Sequence, residues 1–160
     1  TDVYEQRDMT NPSWSLRGVG RDYPMYYVNY HEAKDFCAKL NEYTDMMFYL
    51  PSELEWEYAA SGGPNNDHYI YSGSDDVNSV AWYKGNSNDL THEVGSKYPN
   101  SLGIYDMSGN AKEWCSDFYV KYLAGEQTNP FGPERGEKHV IRGGAWNGPS
   151  NYCNVAYRKA

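Results

Sequence analysis

The stretch "SLGIYDMSGNAKEWCSDFY", residues 101–119, places acidic side chains and two glycines among aromatic residues, with a cysteine near its middle. Gly103 and Gly109 each favour coil over helix. The aromatic positions do not recur every three or four residues, as they would on one face of a helix. The stretch is therefore predicted to form a tight polar loop followed by a β-strand.

Two helices are predicted upstream of this stretch, and each begins with a capping box. Asn29 and Glu32 form the first box, and apolar residues at helical spacing then predict a helix from about Tyr30 to Tyr43. Ser52 and Glu55 form the second box, which starts a short aromatic helix that ends at a glycine pair. Both boxes are local signals and do not depend on the rest of the fold.

The remaining segments are predicted to be loops with brief strands. Residues 62–98 are rich in Gly, Asn, Asp and Ser around the islands "YIY" and "VAWY". Downstream, "HVIRGGAW" predicts a strand that ends in a glycine pair, and "YCNVAYR" predicts another strand. Helices early and irregular β structure later indicate an α+β class. No linker marks a boundary, so residues 1–160 are interpreted as a single domain.

Composition limits the possible partners. A chain of 160 residues can bury a core, and its 17 Tyr and 5 Trp favour a loop-rich core of amphipathic rings. The formal charge of -8 argues against nucleic acid and anionic membranes. No apolar run has the length of a membrane span, and the start, Thr1, shows no leader sequence. Because that first residue is not Met, an earlier leader or lipid anchor is compatible with the sequence.

The three cysteines are Cys37, Cys115 and Cys153, an odd number without CxxC or Cys/His spacing. A zinc site is therefore not predicted. One disulfide with one spare thiol is favoured, which predicts an oxidising compartment. Three buried and reduced cysteines are the alternative.

Four blocks in order, "YVNYHEAKDFCAKLNEY", "LPSELEWEYAASGG", "NSLGIYDMSGNAKEWCSDFY" and "HVIRGGAWNGPSNYCNVAYR", resemble the formylglycine-generating enzyme family, also called the sulfatase-modifying factor family. The resemblance extends over roughly Tyr23 to Arg158. It implies a variant of the C-type lectin fold, with two helices, long loops and a small twisted antiparallel sheet. Family members usually extend further at both ends, so a fragment, an ordered core and a shorter relative are all compatible with the sequence.

The resemblance bears directly on catalysis. Enzymes of the family oxidise a sulfatase cysteine with copper held by two cysteines that follow the glycine pair, five positions apart. Here Gly148 and Cys153 stand at those positions. Since a soft copper(I) site needs both thiolates, no copper and no catalytic residue are expected.

The resemblance also implies one calcium site in the loop "YDMSGNAKEW". Its ligands would be the side chains of Asp106 and Glu113 and the carbonyls of Gly109 and Ala111. Calcium prefers such hard oxygen ligands. In the alternative, the two carboxylates only bond loop amides. A second calcium site of the family uses an Asn where this chain has Ala81, so it is not expected here.

Further residues gain expected roles from the resemblance. Cys115 and Cys153 would form the disulfide, with two packed thiols as the alternative. Cys37, on the buried stripe of the first helix, would be a free core thiol. Lys112 stands where the family normally has an aromatic residue, and either extends along the surface or marks a surface that has lost its partner. Arg142 would tie loop carbonyls together.

The function favoured by these features is a non-catalytic recognition or scaffold domain of an exported bacterial protein, whether periplasmic, secreted or at the cell surface. Its partner would be a protein or a glycan. The loop "WNGPSNYCN" has the composition of adaptable binding surfaces, although an ordinary polar turn has it too. Its candidate contact residues are Trp146, Asn147, Ser150, Asn151, Tyr152 and Asn154.

Two other functions remain open at this stage. One is an enzyme of the same family, with sulfatase cysteine oxidation or related oxidative chemistry. Iron-dependent relatives need a histidine cluster, and the four histidines here are scattered without ligand spacing. The other is a retroelement-diversified ligand-binding protein, because some such proteins use this fold and vary the residues after the glycine pair.

Overall fold

The computed structural model describes residues 16–65, 68–121 and 132–160. These residues contain three α-helices and a two-stranded antiparallel sheet, and most of the rest lies in turns and loops. The helices are α1 (Tyr30–Tyr43), α2 (Glu53–Ala60) and α3 (Val77–Val80), the strands are β1 (Glu113–Phe118) and β2 (His139–Arg142), and two 3₁₀ turns span Gly63–Asn65 and Ser150–Cys153. The predicted loop-rich α+β class is confirmed, with one short helix more than expected.

Helix α1 begins at the predicted capping box. The Asn29 side chain accepts from the Glu32 amide at 3.1 Å, and the Glu32 carboxylate accepts from the Asn29 amide at 2.7 Å. No residue of α1 is buried, and Phe36 is 63% exposed. The expectation that Cys37 lies on a buried stripe is therefore wrong, because the described residues do not cover the apolar side of this helix. Its first residue, Tyr30, does pack, with its ring centroid 3.4 Å from that of His139.

Helix α2 supplies the core. The Ser52 hydroxyl accepts from the Glu55 amide at 3.2 Å, and the Glu55 carboxylate accepts from the Ser52 amide at 2.8 Å. Trp56 and Ala60 are both buried on one side of the helix. They form one cluster with residues of the loop and both strands, namely Met107, Cys115 and Val140. The second capping box therefore positions the helix that closes the core over the sheet.

The sheet confirms one predicted strand after the polar loop and another before the glycine pair. β1 and β2 pair in the registers Glu113 with Arg142 and Trp114 with Ile141, and a bulge interrupts the ladder beyond Trp114. On its other side, Ile141 forms an isolated antiparallel bridge with Lys159. The small sheet thus receives a single bridge from the C-terminal segment.

The third predicted strand, "YCNVAYR", is wrong. Its first residues belong to the 3₁₀ turn Ser150–Cys153. The Asn154 side chain then accepts from the Ala156 amide at 2.8 Å, and its carbonyl accepts from the Tyr157 amide at 2.9 Å. Because Asn favours such turns, Asn154 bends the chain. The alternating apolar residues of this segment had predicted an extended strand instead.

A buried arginine joins α2, β2 and the C-terminal segment. Arg142 is 1% exposed, and it donates to Glu53 at 3.2 Å and to the Val155 carbonyl at 2.7 Å. It also contacts Glu57. Arg158 donates through Nε to the same Glu53 carboxylate at 2.7 Å. The structure thereby confirms the expectation that Arg142 ties loop carbonyls together.

The described residues include no helix with the length and apolar character needed to cross a lipid bilayer.

Replacing Glu53 tests this network. Glu53→Gln removes the charge that faces both arginines, and we expect the free energy of unfolding to fall by about 3 kcal/mol, the lower end for a broken buried ion pair because Glu57 still faces Arg142. Glu55→Gln is the matched control, since it makes the same chemical change in the same helical turn and still caps. Urea unfolding measures both, and equal stabilities of the two variants would contradict the prediction.

Candidate functional site

The loop between residues 106 and 113 has an unusual backbone. Asp106 and Asn110 have positive φ angles of 57° and 56°, and Gly109 has a φ of +83°. A Cβ at Gly109 would overlap the carbonyl oxygen of Trp82. Only glycine fits this close approach. The glycine in the opening stretch is therefore required by packing as well as by conformation.

Hydrogen bonds hold this loop against its neighbours. The Gly109 amide donates to the Gly143 carbonyl at 2.7 Å, and the Asn110 amide donates to the Trp82 carbonyl at 2.7 Å. The Asn110 side chain accepts from the His92 amide and donates to the His92 carbonyl, each at 3.0 Å. The loop is thus fixed between the glycine pair and the segment around residues 82–92.

Three of the four predicted calcium ligands line one cavity of about 450 Å³, namely Asp106, Ala111 and Glu113. The fourth, Gly109, lies outside this lining. Asp106 accepts from the Gly95 amide at 2.7 Å. One of its oxygens therefore bonds a backbone amide, as the alternative to a calcium site predicts. The structure therefore brings the two carboxylates to a common cavity, which we call the carboxylate cavity.

Electrostatics distinguish Glu113 from an ordinary surface carboxylate. Burial raises the pKa of Glu113 to about 7, the nearby charge of Asp106 acts in the same direction, and the hydrogen bond from Trp56 opposes both. That bond runs from the Trp56 indole nitrogen to a Glu113 oxygen at 2.6 Å. A cation at this position would relieve the repulsion between the two carboxylates.

The donor set fits a hard cation. In the described part of the chain, no cluster of three or more His, Cys, Asp and Glu side chains is present. Any metal held here would therefore need carbonyl oxygens beside Asp106 and Glu113. Carboxylate and carbonyl oxygens together are what calcium prefers.

The predicted binding loop is divided by the structure. Trp146 and Asn147 line a second cavity of about 400 Å³, whereas Ser150, Asn151 and Asn154 lie outside its lining. The Asn154 side chain is occupied within its own turn. The ring of Tyr152, also outside the lining, stacks on that of Tyr157 with the centroids 4.3 Å apart.

The second cavity, which we call the aromatic cavity, combines rings with positive charges. Its aromatic members are Tyr26, Tyr27, Trp114 and Trp146, and its cationic members are Arg17 and Lys112. The two tyrosines were not predicted as site residues. The signal that could have found them is the tyrosine-rich run "YPMYYVNY", which ends at the first residue of α1.

The predicted disulfide is not formed in the structure, because Cys37, Cys115 and Cys153 are all free thiols. Cys115 belongs to the core cluster with Trp56 and Val140. Cys153 lies against the glycine pair, where a Cβ at Gly144 would be 2.9 Å from its Sγ. Each thiol is thus enclosed by its own neighbours, as the packed-thiol alternative describes.

Burial also governs the chemistry of these thiols. It raises the pKa of Cys115 to about 12, which the charge of Arg142 partly opposes. It raises the pKa of Cys153 to about 12 as well, against a hydrogen bond from the Ala145 backbone. Both thiols are therefore protonated and weakly nucleophilic at neutral pH.

Alkylation tests this arrangement. We expect iodoacetamide to modify half-buried Cys37 in the native protein and to modify Cys115 and Cys153 only after unfolding, because thiolate and access are both needed for reaction. Peptide mapping by mass spectrometry without reductant identifies each product. A peptide pair joined through Cys115 and Cys153 in the purified protein would contradict the free-thiol arrangement.

Comparison with known proteins places the fold in a family. Residues 5–160 match the family described as "Sulfatase-modifying factor enzyme 1-like domain". The chain is 35% identical over 125 residues to the chaperone protein LppX of Paenibacillus barcinonensis, covering 68% of this chain and 41% of that protein. It is 31% identical over 150 residues to the formylglycine-generating enzyme of Bos taurus, covering 82% of this chain and 37% of that enzyme.

A solved structure shares the architecture. Treponema denticola variable protein 1 superposes with a TM-score of 0.79 at 30% identity, covering 91% of this chain and 69% of that one. The chain spans about two fifths of the length of the two curated relatives named above. Family match, sequence identity and superposition all agree with the loop-rich α+β fold described here. The chain therefore belongs to the sulfatase-modifying factor enzyme 1-like domain family.

Proposed function

We propose that this chain is a non-catalytic recognition or scaffold domain of an exported bacterial protein, stabilised by one calcium ion. The observation that carries the proposal is Gly148. It stands where the family resemblance implies the first copper-binding cysteine, and Cys153 stands alone at the second position. A linear copper(I) site needs two soft thiolate donors.

The surroundings of Cys153 support this interpretation. Cys153 is 0% exposed, and burial raises the pKa of its thiol to about 12. Thiols that bind metals or act as nucleophiles have lowered pKa values and some access to solvent. The other buried thiol, Cys115, packs in the core cluster beneath α2. Both thiols are therefore shielded from solvent and poorly suited to bind a redox metal.

A recognition role is supported by how firmly the loop after the glycine pair is held. The Trp146 carbonyl accepts from the Ser87 hydroxyl at 2.8 Å, and the Trp146 amide donates to the Asn110 carbonyl at 2.9 Å. The Gly148 carbonyl accepts from the Lys84 amide at 2.9 Å. A loop that is already ordered binds a partner with little entropic cost.

The partner would be a protein or a glycan. The similarity to LppX, which is named a chaperone protein, supports a protein partner. The similarity covers less than half of that relative, so a protein partner for this chain is part of the proposal.

Calcium is the cofactor that the carboxylate cavity fits best. Asp106 and Glu113 supply two negative charges, and Ala111 lines the same cavity. Sites with fewer charged ligands bind calcium more weakly, and dissociation constants of about 10⁻⁴ to 10⁻³ M are typical of extracellular modules. A site with two carboxylates therefore suits a compartment outside the cytoplasm, which supports export.

Glu113→Gln tests the calcium site. In EDTA, the stability of the wild type relative to this variant should fall as the pH rises from about 4.5 to about 7, because the folded state keeps a proton that the unfolded state releases. The slope is at most about 1.4 kcal/mol per pH unit. Above pH 7, millimolar calcium should raise the melting temperature of the wild type and leave the variant unchanged.

The control for this measurement is Glu42→Gln, which makes the same change at an exposed position of α1. It should follow the wild type with calcium and with EDTA. Equal calcium stabilisation of Glu113→Gln and the wild type would place the ion elsewhere.

The non-catalytic proposal is tested with copper and a sulfatase peptide that carries the target cysteine. We expect no aldehyde by mass spectrometry, because the chain offers Cys153 without a second thiolate at position 148. The bovine formylglycine-generating enzyme, assayed on the same peptide, is the positive control. Copper-dependent aldehyde formed by the longest natural form of this protein would return it to the enzyme class.

A second candidate function is a retroelement-diversified ligand-binding protein. It is favoured by the superposition on a variable protein of Treponema denticola. It is also favoured by the position of Trp146 and Asn147, which follow the glycine pair and line the aromatic cavity. Sequences of sibling loci decide between the two, since an invariant loop at residues 146–154 excludes diversification.

A further inference from the structure

Positive charges gather at the aromatic cavity of an otherwise acidic chain. Arg17 and Lys112 line the cavity, while the formal charge of the whole chain is -8. Among the residues that the structure describes, the ion pairs formed by lysines and arginines all belong to Arg142 and Arg158. The cations of the cavity therefore have no carboxylate partner within the described residues.

A second lysine, Lys159, lies near Lys112 on this side of the sheet. Lys159 is brought close because its backbone bridges Ile141, a residue that lines the cavity. Two like charges are thus kept together at the edge of the sheet, which costs free energy unless an anion lies between them.

Lys112 lines both cavities, because it lies between Ala111 and Glu113 in the loop. Among the described residues it forms no ion pair with Asp106 or Glu113, since the ion pairs present are those of Arg142 and Arg158. Its charge is therefore available to a ligand in the aromatic cavity.

Aromatic rings and alkyl groups form one wall of this cavity, and a hydrogen bond fixes one of the rings. The Trp114 indole donates to the Val28 carbonyl at 3.1 Å, which fixes the ring in the wall of the cavity. Tyr26 is 9% exposed, and Met25 and Ile141 complete an apolar surface beside the cations. A wall of rings and alkyl groups next to unpaired cations suits a ligand that joins a carboxylate to an apolar group.

We propose that the aromatic cavity binds an acidic segment of a partner protein, in which a carboxylate pairs with Lys112 while a neighbouring aromatic or aliphatic side chain packs against Trp114 and Trp146. This inference rests on the proposed recognition function and names its ligand. A peptide is favoured over an acidic glycan because the chain is similar to LppX, which is named a chaperone protein. A long polyanion is disfavoured by the net negative charge.

The test uses two synthetic peptides in an NMR titration of the whole chain. The first, acetyl-Gly-Phe-Asp-Phe-Gly-amide, carries one carboxylate between two aromatic rings, and the second replaces its Asp by Asn. We expect the Asp peptide to shift the indole resonances of Trp114 and Trp146. The Asn peptide should bind about tenfold more weakly, since it cannot form the charge-assisted hydrogen bond.

Variants of the chain locate the contact. Lys112→Gln should weaken binding of the Asp peptide about tenfold, and Lys112→Arg should retain it, since charge is the property required. Lys39→Gln makes the same change at an exposed position of α1 and should leave the affinity unchanged. Lys112 is itself exposed, so an unaltered amide spectrum can verify that each variant folds.

Three outcomes would overturn the inference. They are equal binding of the Asp and Asn peptides, unchanged affinity in Lys112→Gln, and no shift or shifts that map away from the two tryptophans at millimolar peptide. Binding of an oligogalacturonate without binding of either peptide would identify an acidic glycan instead. Because the aldehyde assay is independent, a failed titration without aldehyde overturns the ligand alone, whereas aldehyde formation overturns the recognition function.

Discussion

The arrangement of this molecule depends on a buried guanidinium. Arg142 stands at the end of β2, where it faces Glu53 on α2 and the carbonyls of Val155 and Ala156. These partners stabilise the buried charge, because an unpaired charge is costly in a medium of low polarity. The helix, the strand and the C-terminal segment are thereby held in one relative position. Both cavities are lined in part by the sheet to which Arg142 belongs, through Ile141 in the aromatic cavity and Glu113 in the carboxylate cavity.

The sequence predicts the parts of the fold that depend on neighbours along the chain. The capping boxes at Asn29 and Ser52 predict the starts of α1 and α2, because cap and partner lie three residues apart. The strand after the loop is also predicted, because Gly103 and Gly109 disfavour a helix and the aromatic residues lack helical spacing. The segment 152–158 is not the strand that its alternating apolar residues predict, because Asn154 bends the chain.

Contacts between distant segments explain what the sequence could not give about the site. Asp106, Ala111 and Glu113 share a cavity as the resemblance implied, since they belong to one loop. The aromatic cavity joins Tyr26 to Trp146, which are 120 residues apart in sequence, so no local pattern could reveal it. The thiol arrangement is another long-range property, because spacing does not show which buried neighbours surround each cysteine.

The glycine pair sets the tolerance of its surroundings to change. A Cβ at Gly144 would lie 2.8 Å from the Tyr152 carbonyl and 2.9 Å from the Cys153 amide, so this position accepts no larger residue without moving the backbone. Asn147, Pro149 and Asn151, only a few residues further on, are exposed. Substitutions at the exposed positions can therefore change the chemistry of this surface without moving the backbone at the glycine pair. A position that tolerates no side chain and positions that are free to accept one lie within eight residues of each other.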